Sequence, residues 1–419
     1  MPATTGHARS GCPALPDGFD FTDPDLNQER VPLPEFAALR ETAPVVWVPQ
    51  PHGLAGFGDD GYWAVTRHAD VRTVSTDPGT FSSRANTAII RFHEHMRRDR
   101  IDAQRLILLN MDPPEHTRLR RIVQRGFTPR AVRALEDALR ERAGRIVAGA
   151  AERGGGDFVT DIACELPLQA IAELIGVPQE DRARIFAWSN RMTGYDDPEL
   201  AVTEETAALA SVELISYAMA MAAERKARPA DDIVTTLVAA EDEGNLTGDE
   251  FGFFVLVLAV AGSETTRNAI THGMHALLSH PEQWELFRAE RPRTTADEIV
   301  RWATPVTSFQ RTATRDTELG GTEIAAGERV GLFYASANHD PEVFADPGTF
   351  DITRDPNPHL AFGGGGPHYC LGAGLARLEI DLILHAIADT APAIRLAGAP
   401  RRLRSPWLNG VKELPVTYS

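Results

Sequence analysis

The chain has 419 residues, 43% of them hydrophobic and 24% charged, so it can bury a large core without disulfide or metal staples. Its formal net charge of −17 argues against nucleic acid as the main partner, because phosphate backbones bind basic surfaces. Cys12, Cys164 and Cys370 lie far apart without paired spacing, which excludes a disulfide framework. No apolar segment of signal-peptide length begins the chain, and the longest apolar run, residues 251–262, is too short to cross a bilayer. We therefore expect a reduced, cytoplasmic protein without a membrane span.

Residues 1–16 are predicted to be a flexible N-terminal arm and residues 17–419 a single domain, because no linker or repeat divides them. Residues 62–74 run from a strand pattern into a helical pattern. Helical patterns then dominate as far as Trp302. Strand patterns return at residues 311–334, where two adjacent glycines are the predicted turn of a hairpin. This order predicts a mostly helical α+β fold with small β regions.

Residues 247–280 predict one long helix, which should be buried because its first half is apolar on nearly all sides. Thr247 and Glu250 have the spacing of a capping box, and Pro281 is expected to end the helix. A helix of about 32 residues would measure roughly 48 Å, enough to cross the whole domain.

The middle of this helix carries a polar segment, AGSETT at residues 261–266, which opposes both helix propensity and burial. Gly262 would let another surface approach closely, and a threonine hydroxyl could take over a backbone carbonyl and open the helix locally. Glu264 should be costly there unless it is paired or hydrated. Two interpretations stay open: a capped polar spot where two helices cross, or a notch that delivers protons to a cavity.

Cys370 follows four consecutive glycines, residues 363–366, and we expect a helix to begin on it. Because ordering four glycines is entropically costly, the run predicts that something bulky and flat lies against this backbone. Amides at a helix N-terminus would stabilise a thiolate at Cys370, whereas Cys12 and Cys164 fit buried free thiols. Zinc and iron–sulfur clusters need more ligands than the single nearby His368 supplies. One thiolate suffices for a metal that brings four ligands with it, which is haem.

Five segments resemble motifs of the cytochrome P450 family, in the family's order and over nearly the whole chain. Each segment alone is moderate support, and together they are specific. Phe362 stands one residue further from the cysteine than in the commonest form of the motif, a spacing that a subset of actinobacterial members shares. The segments are residues 112–129 (haem-contacting helix), 261–266 (oxygen-activating helix), 298–301 (Glu-x-x-Arg), 338–350 (meander) and 362–372 (haem-thiolate loop).

The resemblance implies a single haem-thiolate domain that binds haem b, with Cys370 as the axial ligand of the iron and Phe362 as a further haem contact. It also implies four side chains that bind the haem propionates through charge-assisted hydrogen bonds. For His116 alone, the alternative is an ordinary surface residue of a helix. The four expected propionate contacts are His116, Arg120, Arg311 and His368.

Glu298 and Arg301 are three residues apart on one predicted helix, so their side chains can meet. The resemblance implies a buried pair that is bonded to the meander, with a structural and not a catalytic role. The alternative is a surface ion pair, which would contribute less than ~1 kcal/mol.

The resemblance implies a monooxygenase that uses O2 to hydroxylate an unactivated carbon, because a thiolate ligand favours O–O cleavage. Thr265 is expected to hold the hydrogen-bond network at the oxygen, and Glu264 to relay protons from solvent. A haem-thiolate sensor or a peroxide-driven peroxygenase is the alternative. Neither of these would require the Glu264–Thr265 pair, so its presence favours the monooxygenase.

Electrons must come from a separate redox partner, because no G-x-G-x-x-G motif follows a predicted strand. A ferredoxin with its reductase is the implied donor. A basic helix face could dock an acidic ferredoxin, although an ordinary solvated face is the alternative. The arginines of this face are Arg118, Arg121, Arg125, Arg130 and Arg133.

Further segments, among them residues 18–26 and 297–313, are similar to one actinobacterial subfamily. Its members hydroxylate the terminal side-chain methyl of cholesterol and cholest-4-en-3-one, at the 26 or 27 position, and an apolar funnel would suit that side chain. A branched lipid or a terpenoid natural product is the alternative substrate. Candidate pocket residues are Ile90, Phe92, Met111, Met192, Val260, Val306, Phe309 and Trp407.

Overall fold

The computed structural model describes residues 15–93, 96–200 and 202–418. The predicted N-terminal arm lies outside these residues except for Leu15 and Pro16, and Cys12 lies outside them as well. The described chain has the mostly helical α+β architecture that the sequence predicted, with small sheets beside a helical body.

The N-terminal region contains the first strands and several short helices. Residues 62–74 form a strand followed by a helix, which confirms the predicted change of pattern. The elements are α1 (Pro24–Glu29), α2 (Leu33–Thr42), β1 (Val45–Pro49), β2 (Gly61–Val65), α3 (His68–Thr76), β3 (Phe81–Ser82) and α4 (Arg98–Ala103).

The middle of the chain forms the helical body, with short 3₁₀ turns between some helices. The elements are α5 (Glu115–Val123), α6 (Pro129–Glu152), β4 (Gly155–Asp157), α7 (Glu165–Ile175), α8 (Arg182–Thr193), α9 (Glu204–Ala227), α10 (Ile233–Asp242), α11 (Gly248–Ser279), α12 (Pro281–Glu290) and α13 (Thr295–Ala303).

The C-terminal region contributes the remaining strands, a short helix and the last long helix. The elements are β5 (Ser308–Ala313), β6 (Thr317–Leu319), β7 (Thr322–Ile324), β8 (Arg329–Phe333), α14 (Tyr334–Ala337), α15 (Ala373–Thr390), β9 (Arg395–Leu396), β10 (Arg401–Arg402), β11 (Val411–Glu413) and β12 (Pro415–Thr417).

The largest sheet has the strand order β1-β2-β8-β5-β3 and joins distant parts of the chain. Strands β2 and β8 pair in parallel, and β5 pairs antiparallel with β8. Because side chains alternate along a strand, Phe309 and Arg311 share one face of β5. Strands β6 and β7 form the predicted hairpin around Gly320 and Gly321. The smaller sheets have the orders β10-β11 and β4-β12-β9.

Helix α11 is the long helix that the sequence predicted, and it runs through both large hydrophobic clusters of the protein. Its first half packs with α7, α8, α9 and α10, and its second half packs with α13 and α15. Thr247 and Glu250 form the expected capping box. A Cβ atom at Gly262 would lie 2.8 Å from Cδ1 of Ile171, so the predicted close neighbour at this glycine is α7.

Among the described residues, two helices are long and apolar enough to cross a membrane by length and composition alone. One of them is α11, whose apolar window is 67% buried, as expected for a helix of the core. The other is Glu205–Ala227 in α9, whose apolar window is only 28% buried. The outer face of α9 is therefore unusually apolar for an exposed surface.

Candidate active site

Cys370 lies at the end of the glycine loop and before α15. The prediction that a helix begins on this cysteine is wrong by three residues, because α15 starts at Ala373 with Gly372 as its N-cap. The backbone N–H of Cys370 donates to the carbonyl oxygen of Phe362 at 2.9 Å. The Phe362 ring in turn lies under the guanidinium of Arg377, 4.5 Å from its carbon. Phe362 therefore anchors the cysteine through its backbone as well as its ring.

All four glycines at residues 363–366 have positive φ angles, between +34° and +92°, which an L side chain rarely adopts. A Cβ atom at Gly364 would lie 2.2 Å from Oγ of Ser75, and one at Gly366 would lie 2.4 Å from the Ser75 carbonyl oxygen. The close neighbour of both glycines is the last turn of α3. The flat ligand inferred from the glycine run is therefore not what crowds these two positions.

The two described cysteines differ in their surroundings. Cys164 is enclosed, and burial raises the pKa of its thiol to about 12, which makes it inert. Desolvation by burial also raises the pKa of the Cys370 thiol, although this side chain is reachable by solvent. The amides of Gly372 and Ala373, and then Arg120, act in the opposite direction and favour the thiolate. Because Cys370 is exposed and Cys164 is buried, Cys370 is the solvent-accessible thiol of the described chain.

The four side chains predicted to hold propionates lie together although they come from separate segments. The imidazole rings of His116 and His368 have centroids 4.2 Å apart, and His116 feels the charges of Arg120 and Arg311. Burial, followed by these charges, lowers the pKa of His116 to about 4. Burial and the same neighbours hold the pKa of His368 well below its ordinary value. An anion bound here would relieve the repulsion within the cluster.

This cluster has unused capacity for an anion. No described carboxylate forms an ion pair with Arg120 or Arg311, which donate to the carbonyl oxygens of Tyr369 at 2.5 Å and Gln310 at 2.7 Å. The Nδ1 atom of His116 is buried and has no hydrogen-bond partner among the described residues. A buried polar atom without a partner is costly, so it indicates a missing contact. Haem, with two carboxylates, fits this set of residues.

Ser83 belongs to the same cluster, although it was not among the residues predicted from the sequence. Its Oγ atom lies 3.0 Å from Nε2 of His368, and its backbone N–H donates to Oδ1 of Asp112 at 2.7 Å. Ser82 donates to the other oxygen of Asp112 at 2.5 Å. These bonds hold the segment against the His368 ring. A serine pair in a loop has no sequence signal that separates it from ordinary turn residues.

The AGSETT segment faces accessible space within an otherwise buried helix. Ala261 is exposed and Thr265 is half-buried, whereas Ser263 and Glu264 are buried. The Thr265 hydroxyl donates to the Ala261 carbonyl at 2.7 Å, as expected, but α11 stays continuous and is not opened there. Val260 packs in the same cluster as Leu371, the neighbour of the cysteine. The segment and the cysteine loop therefore approach one region.

Glu264 points into the protein and is paired, which the sequence analysis left undecided. It forms an ion pair with Arg267, and its side chain is 2% exposed. The Arg267 guanidinium also donates to Oδ1 of Asn190 at 3.1 Å, and the Ser189 hydroxyl lies 3.5 Å from the Glu264 carboxylate. Both helices that carry these residues, α8 and α11, therefore meet at this carboxylate.

Glu298 and Arg301 form a fully buried pair, each with 0% side-chain exposure, so the surface alternative does not apply. Arg301 also donates to the carbonyl oxygens of Asn338, Pro347 and Thr349, all in residues 338–350. Glu298 accepts from the backbone N–H of Asp351 at 2.9 Å, from Asn357 and from Arg354. The pair thus ties α13 to the coil that follows α14.

The candidate pocket residues separate into three groups. Ile90, Phe92 and Met111 are 0–4% exposed and lie in three different core clusters, so they are more deeply buried than the other five. Half-buried Met192 and Val260 lie together in the cluster around α11. Val306, Phe309 and Trp407 are also half-buried and meet near β5. The rings of Phe309 and Trp407 have centroids 6.1 Å apart, and Val306 forms an antiparallel β-bridge with Leu408, the neighbour of Trp407.

The basic face is smaller than the sequence predicted. Arg118 forms an ion pair with Glu250 at the start of α11, so it is not free to dock a partner. The other four arginines are exposed, and none of them has an ion-pair partner within the described ranges. They are Arg121, Arg125, Arg130 and Arg133.

Comparisons with known proteins agree with this fold. The family description "Cytochrome P450" matches residues 209–388. A steroid C26-monooxygenase of Rhodococcus jostii is 62% identical over 97% of this chain and 86% of its own length. The steroid C26-monooxygenase of Mycobacterium tuberculosis is 58% identical over 97% of this chain and 94% of its own length. The solved structure of Mycobacterium marinum cytochrome P450 CYP268A2 in complex with pseudoionone has a TM-score of 0.86 at 38% identity, covering 92% of this chain and 94% of that one.

A solvent-reachable cysteine beside a cationic cluster, in the region that the AGSETT segment of a long buried helix also approaches, is the arrangement of a haem-thiolate protein. The relatives match nearly the whole chain, and their sequence identity to it is well above the level at which proteins of one family begin to differ in fold. The chain belongs to the cytochrome P450 family and is a monooxygenase of that family, with haem iron as its cofactor.

Proposed function

We propose that the protein hydroxylates the terminal side-chain methyl of a steroid such as cholest-4-en-3-one or cholesterol, with haem b as its cofactor. The observation that carries this proposal is the 62% identity to a steroid C26-monooxygenase over 97% of the chain. The relatives' names also count against a sensor without oxygenase activity. The second candidate is hydroxylation of a methyl-branched lipid, because a methyl-branched lipid ω-hydroxylase of Mycobacterium tuberculosis is 43% identical over 92% of the chain.

In this proposal the Cys370 sulfur would bind the haem iron. His116, His368, Arg120 and Arg311 would hold the haem propionates, and the two guanidinium groups would neutralise their charges. Bound haem supplies O2 activation and the abstraction of hydrogen from an unactivated carbon. The chain itself supplies the ligand, the protons and an apolar pocket from which water is excluded.

Thr265 and Glu264 are proposed to move the protons. The Thr265 hydroxyl gives its hydrogen to the Ala261 carbonyl, which leaves the Oγ1 lone pairs free to accept a proton donor. The Glu264 carboxylate is held by Arg267 on the inner side of α11. To carry a proton toward Thr265, this carboxylate must exchange the Arg267 contact for water. Ser189, 3.5 Å away, is placed to hold such a water between the two helices.

The steroid side chain is proposed to lie between two groups of half-buried apolar residues. Met192 and Val260 form one wall near α11, and Val306, Phe309 and Trp407 form the other near β5. Apolar walls with few polar groups suit a hydrocarbon side chain whose reacting methyl has no polar handle.

Electrons are proposed to come from a ferredoxin and its reductase. Arg121, Arg125, Arg130 and Arg133 are exposed on and after α5 in a chain that is otherwise acidic. An acidic ferredoxin would be attracted to this face at low ionic strength. Reversing Arg125 to Glu should weaken reduction by the ferredoxin, and the defect should grow smaller as salt is added.

The test of the substrate is a spectral titration of the ferric protein with cholest-4-en-3-one and, separately, with a methyl-branched fatty acid. We expect a low-spin to high-spin shift with the steroid at lower concentration, because a steroid that fits the pocket would exclude water from the haem site. A shift with the fatty acid alone would overturn the steroid proposal and favour the second candidate.

Cys370→Ala tests the ligand. Wild-type protein, reduced and exposed to carbon monoxide, should show the red-shifted absorption band of a thiolate-bound haem, and the variant should lack it. Cys164→Ala is the matched control, since this thiol is enclosed in the core, and it should keep the band. A wild-type protein without the band contradicts the ligand assignment.

Thr265→Ala tests the proton path. We expect the variant to consume O2 and reductant while forming much less hydroxylated product, because the proton no longer reaches its acceptor. Thr271→Ala is the control, a threonine of the same helix whose hydroxyl likewise bonds the carbonyl four residues earlier. Equal product yield per O2 in the Thr265 variant and the wild type would remove this role.

A further inference from the structure

A stripe of exposed apolar side chains runs along the outer face of α9. Four of the five large hydrophobic side chains that are exposed in the described chain lie at residues 200–219: Leu200, Leu209, Val212 and Met219, at 40–59% exposure. At 100° per residue, the exposed residues between Ala208 and Ala223 fall within about 120° of the circumference of the helix. We name this set the α9 stripe: Ala208, Leu209, Val212, Ser216, Met219, Ala220 and Ala223.

The opposite face of α9 is already used by the core. Ala210, Leu214 and Ala218 are at most 1% exposed and pack in the cluster around α11. The helix is therefore apolar on both faces, a pattern typical of an element that is covered on both sides. The α9 stripe carries no charged residue, in a chain whose net charge is −17. Contiguous apolar surface of this kind marks an interaction site.

We propose that the α9 stripe binds the same stripe of a second copy of the chain, with the two α9 helices antiparallel about a two-fold axis at Ser216. The stripe is self-complementary about that residue. Leu209 and Val212, on one side of Ser216, lie at the same distances along the helix as Ala223 and Ala220 on the other side. In a two-fold pair, Leu209 and Val212 therefore each meet an alanine, as interlocking helices require, while Met219 lies at the edge of the pair opposite Glu213.

The charges at the two ends of α9 also fit this pairing. Glu205 at the first turn and Arg228 just after the last are both exposed, and neither has an ion-pair partner in the described parts of the chain. A two-fold axis at Ser216 places Glu205 opposite residue 227, next to Arg228 of the partner subunit. The antiparallel arrangement also brings the positive N-terminus of one helix to the negative C-terminus of the other.

A lipid surface fits the α9 stripe less well than a second copy. Helices that lie on membranes carry free lysines and arginines on their polar face. Here that face packs in the core, and the basic residues at the end of α9 are engaged: Arg225 with Asp232, and Lys226 with Asp242 and Glu241. The stripe spans about 22 Å, so one helix pair gives an interface area at the small end of the range for stable protein–protein interfaces. We therefore expect a weak dimer whose population depends on protein concentration.

Ser216→Glu is the first test, because it places two carboxylates against each other on the two-fold axis while changing an exposed residue. The control is Ala69→Glu, an equal change at an exposed position of α3. Sedimentation velocity of the haem-loaded full chain over a dilution series should show wild type and the control moving from monomer to dimer as concentration rises. Ser216→Glu should stay monomeric at every concentration, with an unchanged carbon monoxide spectrum.

A charge swap is the second test. Glu205→Lys and Arg228→Glu should each raise the dissociation constant of the dimer, and the double variant should restore it toward the wild-type value. A monomeric wild type at all concentrations, or a dimer that Ser216→Glu leaves intact, overturns the proposal. A wild type that stays monomeric yet floats with phosphatidylcholine vesicles, and loses this on Ser216→Glu, overturns it in favour of a lipid surface.

Discussion

Two glutamate–arginine pairs with the same spacing lie on helices of this protein, and they differ in how they are embedded. In α13, Glu298 and Arg301 are both fully buried, and each makes further hydrogen bonds to the coil after α14. In α11, Glu264 and Arg267 are also buried, but beyond their own ion pair they have few contacts: Arg267 donates to Asn190 at 3.1 Å, and the Ser189 hydroxyl lies 3.5 Å from Glu264. The Nε atom of Arg267 has no hydrogen-bond partner among the described residues.

The difference separates a structural pair from one that can change partners. A buried ion pair is stable only when its remaining hydrogen-bonding groups are satisfied. Those of Glu298 and Arg301 are satisfied, so neither side chain can move without breaking several bonds. Glu264 has one charged partner and one distant hydroxyl, so its carboxylate can be rehydrated at modest cost. A proton carrier needs this second arrangement.

Arg301→Ala is expected to have the largest effect on stability. It leaves the Glu298 carboxylate buried without its counter-charge, which should lower the free energy of unfolding by ~3–5 kcal/mol. Urea denaturation followed by haem absorbance measures this loss. Arg401→Ala is the matched control, since Arg401 pairs with Glu413 at the surface, and its effect should be far smaller. Equal losses for the two variants would show that the burial of the Glu298 pair is not what matters.

The second prediction concerns the loss of stability at low pH. It involves His339, which lies near the structural pair Glu298 and Arg301. Burial, followed by the charge of Arg301, lowers the pKa of His339 to about 4. The unfolded chain gains this proton near pH 6.5. The stabilisation is therefore complete above pH 6.5 and is lost as pH falls toward 4, at up to ~1.4 kcal/mol per pH unit.

His339→Gln should remove one proton from this pH dependence. Urea denaturation between pH 4.5 and pH 7, as approximate limits set by the two pKa values, measures the slope for variant and wild type. The variant should show the shallower slope. Identical slopes would mean that the folded chain protonates His339 as readily as the unfolded chain does, which would contradict the effect of Arg301 on this ring.

Glu264→Gln is expected to have the smallest effect on stability and a large one on activity. The amide oxygen still accepts from Arg267, so the free energy of unfolding should fall by only about 1–2 kcal/mol. Product formation should slow by ~10²-fold, because an amide cannot carry the proton. Glu264→Asp keeps a carboxyl group and should recover part of the product yield per O2. A stability loss as large as that of Arg301→Ala would make both pairs structural.

The sequence predicted the long helix with its capping box, the hairpin at Gly320 and Gly321, and the family, because each is written in local spacing. Residue spacing along a helix or a turn is fixed by backbone geometry alone. Resemblance to the family predicted that His116, Arg120, Arg311 and His368 act together at the haem propionates. It could not find Ser83, whose contact with His368 joins residues 285 positions apart.

The tertiary structure decided which partner each of these residues has. The sequence placed Arg267 three residues after Glu264 but did not show that the carboxylate would turn to it and away from Thr265. It indicated crowding at the glycines but not that α3 supplies it. Burial and partner choice depend on which distant segments pack together, and that is a property of the whole fold. For the same reason, the sequence of α9 shows only that the helix is apolar. The fold decides that one face of α9 packs in the core and that the α9 stripe stays exposed.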